Sequence, residues 1–174
     1  MFLDVSPDFF ARFEDPYDLT AFLAEHVNQD RYLIEPIDYR SADGLFRKYR
    51  FIFVGAEILP YHLAIGDDWK LHRDSTDMAS QDWMQREEEQ FLRDPNSVFS
   101  ARHYDALRMI RSRIGLDYFG IDCALDGHGN LVVFEVNASM LVHDENPDFP
   151  YKDPFVRRIK TAFDAMLARF ARSH

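Results

Sequence analysis

Cysteine is nearly absent. The single thiol in 174 residues, Cys123, has no partner for a disulfide within the chain, so a reducing cytoplasm is the expected compartment. Positive charge is scarce too: 20 Lys and Arg against 30 Asp and Glu give a net charge of −10. That excludes general affinity for nucleic acid or an anionic membrane, because phosphate binding needs a basic field, though one local basic pocket stays open. Residues 1–30 contain no lysine at all. The best apolar stretch, residues 51–65, is broken by Glu57 and Pro60 and falls short of the roughly 18 residues a membrane helix needs. The opening Met1-Phe2-Leu3-Asp4 has neither a basic nor an apolar signal region, so no signal peptide is expected. No low-complexity tract or internal repeat is visible.

Aromatic residues are abundant at 15%, which favours a dense core. The first 30 residues read as a helical lead-in, with Asp15 as cap, Pro16 at the first position and Leu19, Phe22, Leu23 and Val27 as the apolar stripe. Residues 32–37 read as a short strand or a hinge, and Ser41-Ala42-Asp43-Gly44 as a turn. Residues 46–54 and 58–65 predict a hairpin across Gly55-Ala56-Glu57. Residues 82–93 predict a charged helix with Trp83 and Phe91 inward and a Glu89–Arg93 pair, stopped by Pro95. Ser100 caps the next helix, whose stripe is Tyr104, Leu107, Ile110 and Ile114 and whose end is Gly115. Strands follow at 118–125 and 131–136. A last amphipathic helix, within 151–172, carries Phe155, Ile159, Phe163, Met166 and Phe170. The expectation is an α+β fold, an antiparallel sheet with helices on one side, in one unit over 1–174.

The sharpest chemical signal is the second hairpin. A four-residue loop, Gly127 to Asn130, makes Asp126 face Leu131 and Asp122 face Glu135. The same register pairs Ile121 with Val136, Cys123 with Phe134 and Leu125 with Val132, a clean apolar face. The other face carries Asp122, Glu135 and Asn137. Two opposed carboxylates repel, and a divalent cation is the simplest offset. Three hard oxygens suit magnesium or manganese. Solvated acids on an exposed face, with Asn137 as a turn residue, are the bland alternative.

The second signal is the basic strand. Alternation puts Lys48 and Arg50 on one face and Arg47 on the other, a set suited to phosphate or carboxylate; an exposed basic edge strand is the alternative. Residues 32–38 with Asp43 are a weaker candidate for a nucleoside, backbone groups reading adenine and a carboxylate the ribose. His62, His72 and His143 are candidate polar groups. Cys123 falls on the apolar face and reads as core, and His128 as exposed at a hairpin tip.

Gly120-Ile121-Asp122 followed by Phe134-Glu135-Val136-Asn137 resembles the metal-binding end of the ATP-grasp superfamily, including its D-alanine–D-alanine ligases and ribosomal-protein glutamate ligases. Leu33 to Asp38, then the basic strand ending in Arg50 before Phe51-Ile52-Phe53-Val54-Gly55, resembles that family's adenine hinge and phosphate strand. Residues 43–50 and 60–65 are similar to an uncharacterised bacterial ATP-grasp group often fused to tetratricopeptide repeats. The resemblance covers about residues 30–145 and implies the C-terminal subdomain of that fold: lead-in over 1–30, hinge, phosphate strand and metal hairpin over 31–145, C-terminal helix over 151–172. It implies ATP and magnesium (or manganese) as cofactors, with the metal on Asp122, Glu135 and Asn137. Adenine would lie along Glu35, Pro36 and Ile37 with Asp43 toward the ribose, and phosphate near Arg50, Lys48 and Arg47.

The implied reaction makes an acylphosphate from a small-molecule or peptide carboxylate, which an amine or similar nucleophile then attacks. The family usually places phosphate-binding lysines before the hinge, and often an Arg where this chain has Gly120. The chain therefore reads as the C-terminal part of such a ligase, its ATP cleft completed by an upstream domain or partner. Two other readings stand beside it. One is a non-catalytic nucleotide- or metal-binding module in regulation or assembly. The other is a metal-dependent hydrolase, which needs two of His62, His72 and His143 beside Asp122. No nucleic-acid or membrane partner is expected.

Overall fold

The computed structural model describes residues 13–27, 34–71, 76–144 and 146–172. They fall into two compact units, Met1–Asp38 and Tyr39–His174. Among the described residues no helix is long and apolar enough to cross a membrane.

In the first unit, α1 spans Pro16–Glu25. The Asp15 carboxylate accepts a hydrogen bond from the Tyr17 backbone N–H at 2.7 Å, and Pro16 occupies a position whose N–H would be unpaired anyway. Leu19 is buried, and Phe22 packs on Phe13 with ring centroids 4.9 Å apart. Val27 does not join the stripe: it lies past the helix end and is exposed. The rest of the lead-in (1–12 and 28–30) lies outside the described residues, as do Tyr32 and Leu33. The remainder of the expected strand or hinge, residues 34–38, forms no strand and is exposed throughout.

The second unit is built on a four-stranded antiparallel sheet of β1 (Phe46–Val54), β2 (Glu57–Gly66), β3 (Tyr118–Leu125) and β4 (Leu131–Asn137), in the order β2-β1-β3-β4. Between β2 and β3 run α2 (Asp82–Arg93) and α3 (Ala101–Ile114), and α4 (Asp153–Arg172) closes the chain. The α+β class and the antiparallel sheet are as the sequence predicts. Helices cover both faces, however. Tyr49, Phe51, Phe53, Phe119, Ile121 and Cys123 turn one way, onto Met84, Phe91 and Leu92 of α2 and Leu107 of α3. Ile52 and Val54 alternate to the other face, where they meet Leu59, Tyr61, Met140 and the Val156–Ile159–Met166 stripe of α4. Further along that second face, Tyr39, Phe46, Ala64, Leu71 and Ala124 form a separate apolar patch. On β1 this leaves Lys48 and Arg50 between two dry patches.

Register is where sequence and structure part. Asp122 faces Glu135 and Ile121 faces Val136, as expected. Cys123, however, faces Val133 and Leu125 faces Leu131, with a bulge that leaves Phe134 as the extra residue. The cause is the loop: Asp126 N–H bonds the Asn130 carbonyl at 3.0 Å, and Gly129 takes the positive φ of 73° the tighter turn requires. The one-residue shift at the loop is cancelled by the bulge. The six-residue apolar face is accordingly incomplete. Phe134 packs on Tyr39 at 4.8 Å, and β4, at the sheet edge, leaves Phe134 and Val136 over 40% exposed.

Trp83 also departs from expectation. It is 42% exposed, and α2 buries Met84, Glu88, Phe91 and Leu92 instead. Ile114 and Phe170, at helix ends, are more than a third exposed.

Gly120 lies opposite Asn137, and a Cβ there would come 2.4 and 2.6 Å from the Met140 Cγ and Cβ. Those atoms sit at the root of a buried side chain and cannot swing clear. We expect Gly120→Ala to lose about 1–3 kcal/mol of stability, read as a lowered midpoint in thermal unfolding; an unchanged midpoint contradicts this packing.

Candidate functional site

The pairing of all four strands aligns one residue from each. His62 on β2 faces Arg50 on β1, Arg50 faces Asp122 on β3, and Asp122 faces Glu135 on β4. Directly paired residues share a sheet face, with Cβ atoms about 5 Å apart. The alignment needs the bulge at Arg50/Phe51, which leaves Tyr61 as an extra residue on β2 beside Pro60. Pro60 is tolerated because β2 is an edge strand.

Asp122 is nearly inaccessible at 3% exposure, and two cations hold it. Arg50 binds it in a fork, Nε to Oδ1 at 2.6 Å and Nη2 to Oδ2 at 2.8 Å, and Lys48 Nζ lies 3.3 Å from Oδ2. Lys48 also donates to the Leu71 carbonyl at 2.7 Å. Burial pushes the Asp122 carboxyl up, but the hydrogen bonds and charges of Arg50 and Lys48 outweigh it and hold it below the ordinary carboxylate range. The offset for the opposed carboxylates is therefore already in the chain, where sequence reasoning reached first for a divalent cation. Glu135 accepts from Asn137 Nδ2 at 2.9 Å, and the Asn137 Oδ1 accepts from the Ser139 N–H at 2.8 Å. Asn137 thus serves a turn and the carboxylate face together.

Two other expected site residues of the second unit, Arg47 and Asp43, lie off the row. Arg47 alternates to the opposite face and is committed to Asp43 (2.9 and 2.8 Å) and Glu87 (2.5 and 3.0 Å). That pairing lowers the Asp43 carboxyl to about 2, the Arg47 hydrogen bond being the main cause. A pocket of about 280 Å³ opens beside Arg40, Arg47 and the 125–129 hairpin tip, away from the row. Glu35, Pro36 and Ile37 are exposed residues of the first unit. His72 lies outside the described residues; of the other two histidines, His62 Nδ1 engages Glu88 at 2.5 Å and the His143 backbone N–H donates to the Tyr61 hydroxyl at 2.8 Å. Cys123 is buried among apolar side chains, and burial pushes its thiol up.

Sequence reasoning missed the neighbouring buried cluster. Glu88 of α2 is fully buried. Its Oε1 accepts from His62 Nδ1 at 2.5 Å, the Leu63 N–H at 3.0 Å and Lys152 Nζ at 3.0 Å, and its Oε2 from the Tyr151 hydroxyl at 2.5 Å. Burial alone would raise this carboxyl; His62, Lys152 and Tyr151 bring it down to about 2. One signal was available: Glu88 falls four residues after Met84 and four before Leu92, inside the apolar stripe. Nothing in the local sequence announces Lys152.

Among the described residues no three His, Cys, Asp or Glu side chains form a metal cluster by themselves; Asn137 would have to supply the third oxygen. Asp122, Glu135 and Asn137 are hard donors at adjacent positions, suited to magnesium or manganese. With Arg50 and Lys48 beside them the charges already balance, so the set fits a cation that arrives with its own anion better than a bare ion.

No family model matches this chain, and no curated protein matches it. Solved structures it is similar to include the macrocyclase MdnB from Microcystis aeruginosa MRC, at 13% identity over 86% of this chain and 46% of that one, with a TM-score of 0.33. Another is the ATP-grasp ligase PsnB complexed with a minimal precursor, at 14% identity over 84% and 53%, also with a TM-score of 0.33. The chain spans about half the length of these structures. A likeness this loose carries no argument about the site, which rests on its own residues.

The folded Glu88 carboxyl, at about 2, sits below its ordinary 4.5. Its contribution to stability is therefore complete above about pH 4.5 and is lost as pH falls toward 2. We expect Glu88→Gln to cost about 3 kcal/mol at pH 7, with the gap to the parent narrowing across that window. Urea unfolding at a series of pH values reads it; a gap that stays constant contradicts an ionised Glu88.

Proposed function

We propose that this chain carries the nucleotide- and metal-binding end of an ATP-dependent ligase, which activates a carboxylate as an acylphosphate for attack by an amine or similar nucleophile. The observation that carries the reading is the cross-strand row, in which Arg50, Asp122 and Glu135 occupy facing positions, with Lys48 and Asn137 alongside.

In the free protein these groups satisfy one another. A bare divalent cation has to draw Asp122 away from Arg50 and Lys48, leaving those two cations beside it. A bare polyphosphate leaves Asp122 and Glu135 facing an anion. A magnesium–nucleotide complex resolves both conflicts: Arg50 and Lys48 turn to phosphate, while Asp122, Glu135 and Asn137 take the cation. The two halves of the ligand thus favour each other through the protein, a coupling of the kind worth about 1–3 kcal/mol between linked ligands. When bound, the cation would supply neutralisation of charge on the transferred phosphoryl group. The chain's own contribution is to orient that group with Arg50 and Lys48 and to keep water from the row's flanks, which are walled by the Ile52–α4 patch and the Tyr39–Phe46 patch.

The test is manganese binding followed by electron paramagnetic resonance. We expect weak binding of manganese alone and at least about tenfold tighter binding with a non-hydrolysable ATP analogue. Glu135→Gln is expected to remove most of that gain without unfolding the protein. Arg50→Ala, which frees Asp122, raises affinity for manganese alone and lowers it for the manganese–nucleotide complex. Unchanged affinity in Glu135→Gln, or equal effects of Arg50→Ala on both ligands, contradicts the reading.

A further inference from the structure

His62 heads the cross-strand row, yet the reading above gives it no task. Its surroundings determine its chemistry closely. Glu88 is ionised, so it offers only acceptors, and the short contact between its Oε1 and His62 Nδ1 requires that Nδ1 carry the hydrogen. The Lys152 ammonium, 2.9 Å from the same nitrogen, has only hydrogens to offer and spends one on Glu88 at 3.0 Å. The Glu88 oxygen is the nearer neighbour of Nδ1, at 2.5 Å, and without a hydrogen between them two lone pairs would meet there. The imidazole is thus held as Nδ1–H, with its lone pair on Nε2. Among the described residues no hydrogen-bond partner meets Nε2, and the side chain keeps 25% of its surface exposed while Glu88 keeps none.

A charged imidazolium is opposed from three sides: burial, the Lys152 ammonium below it and the Arg50 guanidinium across the strand. Only Glu88 acts the other way, and the imidazole is held below its ordinary range. Tyr151, from the same turn as Lys152, completes the set by donating to Glu88. The result is a neutral base, oriented by a buried carboxylate, beside the arginine that the ligase reading gives to phosphate. Other candidates lack this combination. Cys123 is buried on the opposite face, and both ring nitrogens of His103 are occupied, by the Ser100 N–H and the Gly129 carbonyl.

We propose that His62 Nε2 is the proton acceptor for the nucleophile in the second half of the ligase reaction. The inference rests on the ligase reading. As the nucleophile's nitrogen or oxygen bonds the acyl carbon, its N–H or O–H proton passes to Nε2. The acyl carbon–oxygen bond to phosphate breaks, and its electron pair leaves with the phosphate. The proton then goes from Nε2 to water, which restores the neutral ring. Glu88 is a positioning residue: it fixes the tautomer and does not itself exchange the proton.

The experiment uses the full chain and diethyl pyrocarbonate, which acylates neutral imidazole nitrogen, with peptide mass spectrometry to locate the label. Long-range proton–nitrogen NMR on histidine-labelled protein reads the tautomer, and each measurement is repeated with magnesium and a non-hydrolysable ATP analogue. We expect Nδ1–H at His62 and acylation whose rate stays level to below pH 6.5, the ordinary histidine midpoint, and which continues with the nucleotide bound, because the nucleophile must still reach Nε2. Glu88→Gln, assayed where it remains folded, is expected to lose the single tautomer. His62→Gln is expected to keep the nucleotide-induced rise in melting temperature, because the base contacts the nucleophile and not the nucleotide.

Protonated Nε2, or an unreactive His62, overturns the proposal and leaves the ligase reading intact. So does acylation that nucleotide binding abolishes, or loss of the nucleotide-induced rise in His62→Gln. Absence of any nucleotide-induced rise in the parent protein overturns the ligase reading, and the role of His62 falls with it.

Discussion

A buried carboxylate gripped by a guanidinium fork is the interaction on which the second unit's chemistry depends. Asp122 has almost no contact with solvent, and removing a charge from water costs several kcal/mol unless partners of opposite sign meet it in good geometry. Arg50 supplies that geometry across the β1–β3 ladder, and Lys48 adds a second positive charge from the same strand face. Glu135 can then stand opposite Asp122 because the charge there is already answered. Without the fork, Asp122 and Glu135 would face each other with Lys48 alone to offset their repulsion. The pair therefore supports both the ladder and the site, and a ligand that takes Asp122 must replace what Arg50 gives it.

A second charge cluster answers a different problem. β2 is an edge strand, and an edge exposes N–H and carbonyl groups to unwanted pairing. The Leu63 N–H points out of the sheet and is met by Glu88, so a carboxylate from α2 closes the edge where a neighbouring strand would otherwise sit. His62, Lys152 and Tyr151 then keep that carboxylate charged inside the core. The two clusters adjoin through the His62–Arg50 pairing. One device secures the sheet edge and, on our inference, also presents a base to the site. The other sheet edge, β4, is treated differently: Phe134 and Val136 remain substantially exposed.

Much of this was legible in the sequence because it is local. Alternation along a strand puts Lys48 with Arg50 and sends Arg47 to the other face, and hairpin arithmetic sets Asp122 against Glu135. Both are consequences of period two. What was not legible needed partners far along the chain. The arrangement that satisfies Asp122 joins β1 to β3, 72 residues apart, and Lys152 reaches Glu88 across 64. Nor could spacing tell that the loop would close at Asn130 and that a bulge at Phe134 would restore the register: two opposing one-residue errors hid each other. Trp83 stays exposed because the stripe that docks α2 runs through Met84 and Glu88. A charged residue within an apolar stripe, as Glu88 is, marks a buried charge that needs partners from elsewhere in the chain.

The most direct test of the account is a crystal structure of the protein grown with manganese and a non-hydrolysable ATP analogue, with the metal located by its anomalous scattering. The account predicts a manganese peak against the carboxylates of Asp122 and Glu135, with Arg50 released from Asp122 and turned to phosphate. Manganese bound away from both carboxylates, or nucleotide in place while the Arg50–Asp122 fork stays closed, would contradict it.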